Sequence, residues 1–136
     1  MNSPTLMALT AFIAWSLALL VLMQVIRSKM VVTREVAANE FVPDNANLSP
    51  FMQRLARAHA NCLEGLPIFG GLMVVALISG RQSVTDSLAY VLLFARLLQS
   101  IIHLVSVSPA AVTLRFTAFA VQMGIAVYWS WRLLVG

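Results

Sequence analysis

Four long apolar stretches, separated by short polar breaks, make up nearly the whole chain. Positions 5–26 carry no formal charge, and a helix rising about 1.5 Å per residue crosses a bilayer core over that length. Glu35, Asn39, Pro43, Asp44, Asn45, Asn47 and Ser49 then mark a loop. Ser49-Pro50 suits a helix start with proline in the first turn. The pattern predicts helices over about 5–33, 50–79, 84–105 and 109–134, with turns at Gly80-Arg81-Gln82-Ser83 and Ser106-Val107-Ser108-Pro109. Ser83 or Thr85 is the expected cap of the third helix. Pro67 lies inside the second apolar run, where a kink is expected, with neighbouring helices satisfying the freed carbonyl. The fold class expected is an all-α integral membrane protein: a single four-transmembrane-helix bundle spanning residues 1–136.

Composition agrees with the pattern. The chain is 60% hydrophobic and 10% charged, against about 25% charged in a soluble domain. Its mean hydropathy is +0.87. The net charge of +4 does not signal nucleic acid, because the nine basic residues are scattered singly and several lie inside apolar runs. One cysteine, Cys62, excludes an internal disulfide, and two histidines, His59 and His103, argue against a protein-only metal site.

The basic residues also orient the chain. Arg27, Lys29, Arg34, Arg54 and Arg57 flank the first loop, whereas Arg81 alone marks the second, so the first loop is expected in the cytoplasm. The first helix has no basic segment ahead of it and reads as a retained span. The compact chain suggests a bacterial inner membrane.

Charged residues inside the spans carry the functional signal. Ionisable groups cost on the order of 3 kcal/mol each at mid-bilayer, so they normally face a bundle interior or polar cavity. Arg57, Asn61 and Glu64 fall within about 60° of one another on the second helix. Arg96, Gln99 and His103 share a face of the third in the same way. Arg115 enters the first turns of the fourth, and Arg34 ends the first helix at the same level. Glu64, the only acidic residue of the second span, is the expected counter-charge for Arg96. Single polar residues in membrane helices often act only as interhelical glue. Three helices each aiming arginine, with amide and imidazole groups beside it, instead describe a pocket for a small polyanion. Guanidinium suits carboxylates through its planar fork.

The segment Arg57-Ala58-His59-Ala60-Asn61-Cys62-Leu63-Glu64-Gly65-Leu66-Pro67-Ile68-Phe69 resembles the second-helix signature of the MAPEG family, the membrane-associated proteins of eicosanoid and glutathione metabolism. Phe94-Ala95-Arg96 resembles its third-helix element, and Arg115 falls near its fourth-helix arginine. The resemblance covers essentially the whole chain. It implies a homotrimer binding glutathione between subunits, with Arg57, Asn61 and Glu64 holding the charged ends of the peptide and Arg96 supporting Glu64. Arg34 would also contact glutathione and Arg115 would stabilise the thiolate, while Gln99 and His103 are counted with the glutathione-binding residues because they share the Arg96 face. The implied function is a glutathione-dependent transferase or peroxidase acting on lipophilic electrophiles or lipid hydroperoxides.

The chain departs from catalytically studied members, which often carry aromatic or histidine residues where Gln99 and His103 stand and commonly an aromatic hydroxyl after the glutamate, where Gly65 stands. These differences motivate the alternative of a non-catalytic glutathione-binding or scaffolding protein. A four-helix drug exporter is disfavoured, because such proteins rely on a membrane carboxylate and the intramembrane charge here is mainly positive.

Overall fold

The structure, a computed structural model, describes residues 3–136. Three helices open on the same device. Ser3, Ser49 and Ser108 each accept a backbone N–H three residues on, at 3.1, 3.3 and 3.2 Å, and each precedes a proline at the first helical position. The serine satisfies an otherwise orphaned amide, and the proline has no amide to orphan. These helices are α1 (Pro4–Val32), α2 (Pro50–Gly65) and α5 (Pro109–Val135). A π-helical turn, Leu66–Gly70, joins α2 to α3 (Gly71–Ile78), so Pro50–Ile78 is one membrane-length rod. Pro67 lies in that turn, which widens the helix where proline cannot donate.

The remaining long helix, α4 (Ser83–Val105), has no side-chain cap, contrary to the expectation for Ser83 or Thr85. Its first turn serves a neighbour instead. Asp86 accepts from the Thr5 amide (3.0 Å) and the Thr5 hydroxyl (2.5 Å), while Thr5 and Thr85 hydroxyls meet at 2.6 Å. A carboxylate thus faces the positive end of α1. Arg81 does the converse, donating to the Leu133 and Arg132 carbonyls at the end of α5 (2.8 and 2.7 Å).

All four membrane-length helices expected from the apolar runs are present, and no strand occurs among the described residues. They alternate in direction, and α4 is the central element, touching α1, α2, α3 and α5. α5 packs chiefly on α4, with smaller contacts to α3 and the π-helical turn.

The loop after α1 is tied down by a residue that composition marked only as a loop former. Asn45 is fully buried, with its oxygen accepting from Nε (3.1 Å) and Nη2 of Arg27 and its Nδ2 donating to the Met52 carbonyl at 2.7 Å. Asn45 sits in the left-handed region (φ 56°), which asparagine tolerates better than most residues.

Packing divides across the bundle. In the half away from this loop, Leu9, Phe12, Phe69, Met73, Leu92, Ile125 and Trp129 form one core drawn from every span. In the loop-side half, Leu19, Met23, Met52, Leu55 and Cys62 of α1 and α2 form a second core to which α5 contributes nothing. There α4 and α5 bury Arg96, Gln99, Ser100, His103 and Gln122 instead. A site begins where the shared core stops.

Candidate functional site

The loop-side halves of α2 and α5 leave a cleft between them, floored by α4. Three adjoining hollows compose it. One of ≈ 230 Å³ is lined by Arg57, Ala60, Asn61, Glu64 and His103. A second of ≈ 210 Å³ is lined by Asn61, Gln99, His103, Val112, Arg115, Phe116 and Phe119. A third of ≈ 220 Å³ lies against Asn61, Glu64, Gly65, Ile68, Phe69 and Phe119. Asn61 borders all three. Beyond Phe119 the groove turns apolar and continues as ≈ 420 Å³ between Ile68, Phe69, Met123, Ala126 and Val127.

Sequence spacing grouped Arg57, Asn61, Glu64, Gln99, His103 and Arg115, and all six line this cleft. Arg34 does not. It lies at the end of α1 on the same face of the bundle, exposed and in the left-handed region at φ 61°. Its N–H bonds the Val31 carbonyl (3.1 Å) and the Glu35 N–H bonds Met30 (2.9 Å), a helix-ending turn usually built on glycine.

Arg96 corrects a second expectation. It does not pair with Glu64. Its Nη1 donates to Asn61 Oδ1 at 2.5 Å, and Nε and Nη2 have no hydrogen-bond partner. The guanidinium is fully buried behind Asn61, 5.4 Å from the Phe12 ring centre and 5.8 Å from that of Phe69. Ring faces attract cations, by about 2 kcal/mol when desolvated. Glu64 is consequently left to the cleft.

A hydrogen-bonded relay runs from this arginine. Gln99 Nε2 donates to the same Asn61 oxygen at 2.9 Å, and Gln122 Nε2 donates to Gln99 Oε1 at 2.8 Å. Three helices are joined by side-chain amides across the cleft floor. Gln122 lies seven residues beyond Arg115 on α5, and spacing along one helix does not signal that it meets Gln99 on another. Cys62 is fully buried with its sulfur 3.2 Å from the Ser100 hydroxyl.

The arginines sort by partner. Arg27, Arg54, Arg81, Arg96 and Arg132 each donate within the chain, Arg54 to the Leu104 carbonyl at the end of α4 (2.9 Å). Among the described residues the side chains of Arg34, Arg57 and Arg115 make no hydrogen bond within the protomer. Arg57 and Arg115 face one cleft from opposite helices, with Glu64 and the unused Asn61 amide nitrogen between them. Two cations, one carboxylate and an N–H donor are free to meet a ligand of complementary charge.

No curated protein and no solved structure is detectably similar to the chain. The sequence profile of the MAPEG family matches residues 5–135, nearly the whole length. The chain, an integral multi-pass membrane protein, belongs to the MAPEG family.

Proposed function

We propose that the protein is a glutathione-dependent membrane transferase or peroxidase, acting on lipophilic electrophiles or lipid hydroperoxides. The family is broadly one of membrane glutathione-linked transferases and peroxidases. The observation that carries the reading for this chain is the charge pattern left free in the cleft. Glutathione brings two carboxylates, one ammonium and a thiol that ionises. Arg57 and Arg115 offer two guanidinium groups, Glu64 offers a carboxylate for the ammonium, and Asn61 offers an amide donor. Arg34 adds a third cation if the α1 end of a neighbouring copy approaches the cleft, as in the homotrimer that the resemblance implies.

In this reading Arg57 and Glu64 hold the peptide ends and Arg115 faces the sulfur. At 4 Å and an effective dielectric of about 20, a guanidinium favours an adjacent thiolate by up to about 4 kcal/mol. That is enough to shift the thiol strongly toward its nucleophilic form. The thiolate then forms a C–S bond at an electrophilic carbon, with addition or loss of a leaving group. With a hydroperoxide it takes the terminal oxygen instead, breaking the O–O bond and releasing the alcohol after protonation. A second glutathione converts the resulting sulfenic acid to the disulfide and water. The lipophilic substrate lies in the apolar groove beyond Phe119. Binding, orientation and electrostatics are the protein's share, and no side chain is covalently modified.

The test is titration of glutathione into the purified protein, following ultraviolet thiolate absorbance and conjugation of a model electrophile. Arg57→Ala and Glu64→Ala are expected to weaken binding. Arg115→Ala is expected to abolish the thiolate signal and turnover while peptide is still bound. Normal affinity in the first two variants defeats the site.

One observation favours a binding-only role. Both ends of the Gln99 amide are committed to the relay and Gly65 has no side chain, so Arg115 is left to act on the sulfur without an aromatic hydroxyl at either position. Binding without any thiolate signal selects that reading.

A further inference from the structure

Side-chain amides are nearly symmetric in shape and opposite in polarity at their two ends, so a buried amide needs something to decide which end points where. In the cleft floor that decision is made at both ends of a chain. At one end stands Arg96, a group that can only donate, with Nη1 2.5 Å from Asn61 Oδ1. At the other stands the backbone carbonyl of Ala118, a group that can only accept, 3.1 Å from Gln122 Nε2. Between them Gln122 Nε2 donates to Gln99 Oε1 and Gln99 Nε2 donates to Asn61 Oδ1. Reversing any one of the three amides sets oxygen against oxygen or nitrogen against nitrogen. Gln99 and Gln122 are almost fully buried, so water cannot relieve such a mismatch.

The outcome is legible at Asn61. Its oxygen takes two donors, and its Nδ2 makes no hydrogen bond within the protomer among the described residues. Asn61 is only partly buried and borders all three hollows of the cleft. With the oxygen occupied, the nitrogen is what Asn61 has left to offer a ligand, as a donor.

We infer that Gln122 is a positioning residue for ligand recognition, holding through Gln99 the direction of the Asn61 amide so that the cleft reads a hydrogen-bond acceptor at that point. The inference rests on the glutathione reading above and sharpens it: the feature read at Asn61 is a carboxylate or peptide carbonyl, never the ammonium, which falls to Glu64. Gln122 is on α5 and Asn61 on α2, and the relay through Gln99 of α4 joins them.

The test is a double-mutant cycle on glutathione affinity in the full-length protein, in detergent or nanodiscs, with thermal stability measured alongside. Gln122→Leu removes the anchor at the α5 end and leaves Arg96 at the other. Asn61→Asp keeps the shape and both acceptor bonds at residue 61 but has no polarity to set and no N–H to offer. Gln122→Leu is expected to weaken glutathione about tenfold, the worth of a buried hydrogen bond of fixed direction. Asn61→Asp is expected to weaken it at least as much while melting no lower than the wild type, since a carboxylate now meets Arg96. Adding Gln122→Leu to Asn61→Asp is expected to cost no further affinity. A purely structural role for Gln122 gives the same factor in both backgrounds, and that additivity overturns the inference. So does wild-type affinity in Gln122→Leu. Absence of any glutathione binding by the wild-type chain overturns the functional reading and the inference with it, whereas additivity on intact binding overturns the relay alone.

Discussion

A β-carbon on Gly65 would stand 2.8 Å from Nη2 of Arg96, and 3.0 Å from the Phe69 ring. The guanidinium occupies the volume a side chain would need. Gly65 and Arg96 are therefore one packing unit, and the absence of a side chain at 65 goes with the arginine lying behind Asn61. In an ordinary helix interior Gly→Ala gains about 1 kcal/mol. Here the added methyl must displace a buried cation or the Phe69 ring, at a cost of about 1–3 kcal/mol. Gly65→Ala is expected to lower the melting temperature and weaken glutathione together. A melting temperature at or above the wild type refutes the contact.

Arg96 is buried with one side-chain acceptor and no carboxylate among its hydrogen-bond partners. Breaking a buried ion pair typically costs about 3–5 kcal/mol, but replacing a poorly compensated buried charge by an apolar isostere is often neutral. Arg96→Met should stay within about 1 kcal/mol of wild-type stability and still lose glutathione affinity several-fold, because Asn61 loses one of the two donors that hold it. Thermal melts and binding titrations on the same preparation decide this. A collapse in stability would show that Arg96 holds an ion pair after all.

Arg34 has the backbone of a glycine. Its left-handed conformation costs a non-glycine residue about 1 kcal/mol. Arg34→Gly is expected to recover about that much stability. If Arg34 contacts ligand from a neighbouring copy, the same variant loses affinity, and stability and function move in opposite directions. Unchanged affinity would remove Arg34 from the site.

Asn45 is a structural hub inside the first loop. Asn45→Ala removes its bonds to Arg27 and to the Met52 carbonyl and leaves a non-glycine residue in the left-handed region. The expected loss is about 2–4 kcal/mol, with protease cleavage in residues 33–49 preceding global unfolding. Wild-type protease resistance would show that the loop is held by other contacts.

Much of this was legible before any coordinates. Apolar run length gave the four spans, because a bilayer admits few ways to bury a backbone. Helical periodicity alone grouped Arg57 with Asn61 and Glu64, and Arg96 with Gln99 and His103, since residues on one helix share a face whatever the tertiary packing. Pairing between helices was another matter. Glu64 was the natural partner for Arg96 by charge, yet the arginine chose Asn61 and two aromatic rings, because rotation of α2 about its axis decides which of two neighbours on one stripe points inward.

Sequence by itself determined the membrane fold, the face on which the cations gather and the surplus of arginine over carboxylate, because each follows from composition and from order along single helices. Only the tertiary structure decided which arginines are spent on helix ends, loops and rings and which keep a side chain unbonded within the protomer. It alone joined Gln122 to Asn61, and it alone showed why residue 65 has no side chain. Those outcomes depend on distances between helices that no period in the chain encodes.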